Sequence, residues 1–315
     1  MRWPLVIVAA TSCGGGNIPV IPADAYVPLD APDHPGAGNG GGILPELRFA
    51  VVGDTRPVNL DDTANYPTDI VHQIWMNVEA EVPHPQFAIS TGDYMFASTD
   101  HSEQEPQLGL YLGARMAFNG IAYAALGNHE CTGYTKSNCG PSGVDGMPPN
   151  YTAFMHMMAA PIGETFPYFI ERFAAADGTW TAKIIFTAAN AWDDTQARWF
   201  DTMLTEPTTY TFVVRHEAHD SETAPGVDPS QSIIAKHPLT MLIVGHTHTY
   251  RHIPAYREII VGNGGAPLTS DANYGYVIIA RNADGTIGVT SREYMTTTIV
   301  DQFAVNADGT LAVSP

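Results

Sequence analysis

Positive charge is what this 315-residue sequence has least of: Lys and Arg number 14 against 33 Asp and Glu, for a formal charge of −19. That excludes an electrostatic grip on duplex nucleic acid or on an anionic lipid surface, since both need a basic face. Charge of either sign is scarce, at 15% of residues beside 44% hydrophobic ones. A chain of this kind is not generally disordered, because disorder combines high charge with low hydrophobicity. Long apolar runs are missing as well. None beyond the N-terminus approaches the roughly 20 residues that a membrane-spanning helix requires. Cysteine occurs only at positions 13, 131 and 139. What is plentiful is Gly (29) and Pro (24), which predicts long loops around a core that one large domain or two small ones could build.

Residues 1–13 form an export signal: one cation (Arg2), an apolar run from Trp3 to Ala10, then small residues up to Cys13. The Ala10-Thr11-Ser12-Cys13 end resembles the lipobox of bacterial lipoproteins, which implies lipidation at Cys13. The expected location is therefore the bacterial cell envelope, with membrane contact only through that anchor. Residues 14–46 are dominated by Gly, Pro, Ala and Asp without apolar periodicity and read as a tether. The folded domain is expected to span 47–315, with strands in 257–315 completing it. In an oxidising compartment Cys131 and Cys139, eight positions apart, are expected to pair as a disulfide; two buried or metal-bound thiols are the alternative.

Within the domain an apolar run repeatedly stops at a polar residue. Leu47–Gly53 ends in Asp54, Phe87–Gly92 in Asp93, and Ile121–Gly127 in Asn128-His129-Glu130. Tyr210–Arg215 ends in His216 and Thr240–Gly245 in His246-Thr247-His248. Near-continuous runs rich in Val, Ile and aromatics suit strands covered on both faces. Between them, Asp69–Glu81 places Ile70, Ile74 and Val78 at helical spacing, and Thr195–Leu204 does the same with Trp199 and Met203. Asp193 and Asp194 precede that second helix as capping residues. Strands are also expected over Ile259–Gly264, Tyr274–Arg281 and Thr286–Tyr294, with a hairpin turn at 282–285. Alternating strands and helices predict an α/β layered sandwich.

Ligands of open α/β sheets bind beyond the carboxyl ends of the strands, where this chain puts Asp54, Asp93, Asn128, His216, His246 and His248. Carboxylate, amide and imidazole donors together suit Fe, Mn, Zn, Co or Ni rather than a thiolate site. An Asp between two cations can bridge them, and such a pair clamps the attacking and leaving oxygens of a phosphoryl displacement.

In this order, GD (53–54), GD (92–93), GNHE (127–130), VVRH (213–216) and GHTH (245–248) resemble the motifs of the calcineurin-like metallophosphoesterase superfamily, with a layout nearest the purple acid phosphatase branch. The resemblance covers roughly residues 47–265. It implies a two-sheet α/β/β/α sandwich and hydrolysis of phosphate esters by a metal-bound hydroxide at a dinuclear site. By the same resemblance Asp93 bridges the metals, Asn128, His216 and His246 complete one site, and Asp54 and His248 belong to the other. His129 contacts the phosphate or protonates the leaving group, and Glu130 orients His129. Two positions depart from the pattern. Most of the superfamily has Asp-x-His at the first motif, where this chain has Asp54-Thr55-Arg56; the purple acid phosphatases place a tyrosinate three residues after the second Asp, where this chain has Phe96. Two Fe, Mn or Zn ions are therefore expected, the second site being weak or empty, with Arg56 gripping a phosphate oxygen through its planar donor fork.

His219 and Tyr250 are candidates for the substrate pocket, or else an exposed and a packed residue beside the motifs. The run His216-Glu217-Ala218-His219 is not the HExxH of zinc proteases. Met155-His156-Met157-Met158 reads as core or pocket wall rather than a copper site. The expected partner is a small phosphorylated substrate, a monoester ahead of a diester or nucleotide. A degenerate surface lipoprotein that binds metal or phosphate without turnover is the alternative.

Overall fold

The computed structural model describes residues 41–100, 102–139, 148–269 and 272–312. The export signal, the lipidation site at Cys13 and most of the tether lie outside the described residues. The tether boundary needs correction. Gly41–Leu44 already form a strand, β1, which runs parallel to β5 (Phe169–Ala175) through Gly41↔Arg172 to Leu44↔Ala175. A Gly-Gly-Ile-Leu edge strand has no apolar alternation to reveal it; it is defined by its partner.

The remaining strands are β2 (Arg48–Val52), β3 (Phe87–Ser90), β4 (Ala122–Ala124), β6 (Thr181–Phe186), β7 (Tyr210–Val214), β8 (Met241–Val244), β9 (Tyr250–Ile253), β10 (Glu258–Val261), β11 (Gly275–Arg281), β12 (Ile287–Glu293) and β13 (Ile299–Val305). They form two sheets, in the orders β1-β5-β6-β7-β8-β10-β9 and β13-β12-β11-β2-β3-β4. The site-bearing strands are parallel within each sheet: β2, β3 and β4 in one, β6, β7, β8 and β10 in the other.

Side-chain alternation explains why the apolar runs are continuous. Phe49 and Val51 of β2, Phe87 and Ile89 of β3, and Phe212 and Val214 of β7 face inward between the sheets. Intervening residues such as Ala50, Val52 and Ala88 face the helices on one side, and Val213, Leu242 and Val244 those on the other. Both faces of each sheet are covered, so period-2 patterning disappears. The inter-sheet layer is anchored by stacked rings, Phe49 on Phe87 at 4.9 Å and Phe87 on Phe173 at 4.5 Å.

Helices α1 (Thr68–Glu79), α2 (Gln104–Arg115) and α4 (Pro149–Phe154) cover the six-stranded sheet, while α5 (Asp194–Thr205) and α6 (Val227–Ile234) cover the seven-stranded one. The short α3 (Asn128–Cys131) carries site residues. The layers are thus α/β/β/α, as expected. Asp193 caps α5 by accepting the Gln196 N–H at 2.7 Å. The opposite end of α5 is held from across the sheet: buried Lys183 of β6 donates its ammonium protons to the carbonyls of Met203, Leu204 and Glu206.

The hairpin expected at 282–285 is present, closed by Asn282 N–H to the Thr286 carbonyl at 2.8 Å. Its Ala-Asp-Gly-Thr run recurs at 176–179 and 307–310. Each time the aspartate carboxylate (Asp177, Asp284, Asp308) accepts both the N–H and the hydroxyl of the threonine two residues on. Glycine follows with φ between 70° and 86°, a left-handed conformation in which a Cβ is strained.

Candidate metal centre

Six residues converge where the carboxyl ends of β2, β3, β4, β7 and β8 meet, so both sheets supply the site. Asp54, Asp93, His246 and His248 all adopt positive φ (57°, 57°, 69° and 35°). Side chains pay for this left-handed backbone with strain, which is typical of functional sites. The turns also need glycine. Gly92 has φ 110°, and a Cβ there would come within 2.6 Å of His216 Nδ1; a Cβ on Gly127 would meet the Asp93 carboxylate and, at 2.8 Å, that of Glu130.

One group of donors is tightly assembled. Asn128 Oδ1 lies 3.0 Å from His216 Nε2 and 2.9 Å from His246 Nδ1. The two imidazole nitrogens are 3.2 Å apart, and Asp93 Oδ1 is 3.2 Å from His216 Nε2. Outer contacts fix which atoms face inward. The His216 Nδ1 proton is donated to the Thr91 carbonyl at 2.8 Å, which turns Nε2 inward. Asn128 donates its amide N–H to the Tyr134 carbonyl at 3.0 Å, turning its oxygen to the site. Thr223 Oγ1 meets His246 Nε2 at 3.3 Å. Acceptor atoms packed this closely repel one another unless a cation lies among them, so the donor set fits a metal ion.

The second group is sparser. Asp54, Asp93 and His248 bring donor atoms within 4.8 Å of one another. His248 Nε2 stands 3.7 Å from Asp54 Oδ1, with its Nδ1–H held by the Pro267 carbonyl at 2.7 Å. Both Asp54 oxygens accept the His246 N–H at 3.0 Å.

The electrostatics are those of a buried charge cluster. Burial disfavours a charged His216, yet Asp93 and Asp54 hold its proton on to well above the usual imidazole range. Burial likewise opposes the Asp93 charge, but His216, His129 and Arg56 keep its carboxyl well below the usual carboxylate range. Desolvation with Asp93 nearby pushes Asp54 up. His129 and His246 are driven down to about 3 and about 4, first by burial and then by neighbouring cations. A metal ion held by the first group would take the place of the proton that the carboxylates otherwise draw onto His216.

His129 Nε2 lies 3.7 Å from Asp93 Oδ2, its Nδ1 has no hydrogen-bond partner among the described residues, and Phe96 packs edge-on to its ring at 4.6 Å. Arg56 lies 4.7 Å over the face of the same Phe96, with Nε 3.8 Å from Asp93 Oδ2. Tyr94, beside Asp93, points away: its hydroxyl donates toward the Ser90 and Ala125 carbonyls inside the core.

Three further candidates are held by partners of their own. The Glu130 carboxylate accepts the backbone N–H groups of Asp93 (2.8 Å), Tyr94 (2.8 Å) and Gly127 (3.1 Å), clamping the β3 loop to α3. His219 is drawn to Glu258, which accepts from both its Nδ1 and its N–H at 2.9 Å, and stacks on Tyr256. Tyr250 donates its hydroxyl to Asp301 at 2.8 Å and packs against the inter-sheet core.

Cys131 and Cys139 form a disulfide, with Cα atoms 5.4 Å apart. Residues unread in the sequence also shape the site: Thr91, Thr223 and Asn150, whose amide donates to the His129 and Ala97 carbonyls. They lie inside an apolar run or in loops, with no motif to single them out.

The family model for calcineurin-like phosphoesterases matches residues 47–250. Among solved structures, a purple acid phosphatase from yellow lupin superposes with a TM-score of 0.59 at 11% identity, over 90% of this chain and 58% of its own. A 5'-nucleotidase described as putative, from Staphylococcus aureus, gives 0.46 at 14% identity, over 85% and 55%. The 5'-nucleotidase of Candida albicans gives 0.41 at 10%, over 87% and 54%. At these identities the likeness concerns the fold, and only the lupin enzyme superposes well enough to support it. The chain spans less than three fifths of each of these proteins. No curated protein sequence matches significantly. Since the family model covers more than half of the sequence and the motif residues meet at one place in the fold, the chain belongs to the calcineurin-like phosphoesterase family.

Proposed function

We propose that this protein is a metal-dependent phosphoric ester hydrolase acting on small monoesters, with diesters and nucleotides as a second class. The observation that carries the reading is the convergence of Asp93 Oδ1, Asn128 Oδ1, His216 Nε2 and His246 Nδ1 on one point, with contacts of 2.9–3.2 Å. These four side chains would hold the principal ion, an Fe, Mn or Zn; Asp54 and His248 lie beside it. Such an ion supplies Lewis acidity and lowers the pKa of water for in-line attack on phosphorus.

The protein's own groups do the rest. His129 is neutral and desolvated before substrate arrives. A phosphate dianion beside it favours its protonated form, and that proton can pass to the leaving oxygen. Arg56 presents a permanent cation for a non-bridging oxygen. Glu130 and the outer partners of His216 and Asn128 keep the donor atoms aligned. The net charge of −19 disfavours duplex nucleic acid as substrate.

The test is chelated protein reloaded with Mn, Fe or Zn, assayed on p-nitrophenyl phosphate and its bis-ester. Wild-type hydrolysis that is lost in Asp93→Ala is expected. No turnover with any metal would replace this reading by the second one, a binding protein of the same fold. That alternative is favoured by the thinner donor set around Asp54 and His248. The segment ending in Cys13 supports export and lipid anchoring. Radiolabelled palmitate in the expressed protein, absent from Cys13→Ala, is the expected outcome.

A further inference from the structure

The two carboxylate oxygens of Asp93 face different worlds. Oδ1 lies 3.2 Å from His216 Nε2 and belongs to the four-donor group. Oδ2 faces two nitrogens, His129 Nε2 at 3.7 Å and Arg56 Nε at 3.8 Å. The guanidinium is held there by construction. It lies over the Phe96 ring, 4.7 Å from its centroid, and its Nη1 donates to the Pro57 carbonyl at 3.1 Å. The Arg56 side chain is only 14% exposed, and its Nε–H is buried without an acceptor. A desolvated N–H with no partner is costly to maintain, and here its nitrogen lies 3.8 Å from the carboxylate whose other oxygen belongs to the metal-ligating group. Its charge is felt throughout the cluster, at Asp54, Asp93, His129, His246 and His248.

On the same side the remaining donors are few. Besides His129, Asp54 and His248 are the carboxylate and imidazole groups assembled with Asp93 there, and the nearest atoms of those two stand 3.7 Å apart. A divalent ion at that point would share a low-dielectric pocket with a cation that cannot lose its proton, at a cost that few donors cannot offset. The phenyl ring of Phe96 adds no donor and shields the guanidinium from water.

We infer that Arg56, braced by Phe96, occupies the place of a second cation, so that the protein works with one metal ion and one guanidinium on opposite sides of Asp93. The inference rests on the metal-binding reading of the site. Asp93 would then help to hold an ion with its Oδ1 side while its Oδ2 faces Arg56. A phosphate bound across them has one oxygen toward the ion and another toward the Arg56 fork, whose free Nε–H gains its missing acceptor.

The experiment counts metal and measures inorganic phosphate binding, so it does not depend on turnover. Wild-type protein equilibrated with excess Mn or Zn and freed of unbound ion is expected to retain one equivalent per chain by elemental analysis. Arg56→His, which removes the permanent charge and adds a donor, is expected to take up a second. By titration calorimetry on metal-loaded protein, Arg56→Gln is expected to bind phosphate at least tenfold more weakly than wild type, with the first ion still bound. Two equivalents in wild type, a single equivalent in Arg56→His, or unaltered phosphate affinity in Arg56→Gln overturns the assignment to Arg56. A wild type that retains no metal, or an Asp93→Ala variant that keeps its ion, overturns instead the reading of the site on which it depends.

Discussion

Glu130 works at the scale of single atoms: one buried carboxylate satisfies backbone N–H groups on both sides of the Asp93 turn. Glu130→Gln brings an amide NH₂ into that cluster of donors. It should cost about 2 kcal/mol of stability, the worth of charge-assisted hydrogen bonds of this kind. Because the turn carries a ligand, metal affinity should fall as well, read by calorimetry beside a denaturant titration. Glu164 offers the reverse case. Burial raises its carboxyl to about 6 from an ordinary 4.5. Between those values the folded chain binds more protons than the unfolded one, so the charged form penalises folding progressively as pH rises through that window. Glu164→Gln should therefore raise the melting temperature at pH 7 and leave it nearly unchanged at pH 4. An equal gain at both values would show that the carboxyl's charge is not the cause.

Among elements, α3 and α5 owe their positions to partners far away in sequence. The Cys131–Cys139 bond ties the end of α3 to a loop whose Cys139 N–H is held by the Asn190 carbonyl at 2.7 Å. Replacing both cysteines with serine should cost about 2 kcal/mol, the lower end for a native disulfide, measured as a drop in the urea midpoint. Lys183 closes the carbonyl end of α5, whose own last turn has no basic residue. Lys183→Met should cost about 2 kcal/mol through the carbonyls left buried without donors. These ties mark how far the sequence could be read. Asp54, Asp93, Asn128, His216, His246 and His248 were legible because each interrupts an apolar run where a parallel strand ends. The role of Glu130 was not, since it acts on backbone 36 and 37 positions away. His219 and Tyr250 sit beside motifs, but their orientation is set by Glu258 and Asp301, which no local pattern links to them. Strand β1 was hidden by its glycines, and the recurrence of the 282–285 turn at 176–179 and 307–310 by the distances between them.

For the molecule as a whole, the proposed metal binding would be thermodynamically linked to folding. An ion that binds the native state at a hundred times its dissociation constant stabilises it by about 2.7 kcal/mol. Chelation should lower the wild-type melting temperature, restoration of Mn or Zn should recover it, and Asp93→Ala should be insensitive to both. The donors come from opposite sheets: Asp54, Asp93 and Asn128 follow strands of one, His216, His246 and His248 strands of the other. An ion coordinated by them would consequently be a rivet through the seam of the sandwich, resisting separation of its halves while it stayed in place. Amide hydrogens of β3 and β7 should then exchange more slowly, and by a similar factor, once the ion is bound, whereas those of the outlying β13 hairpin gain little.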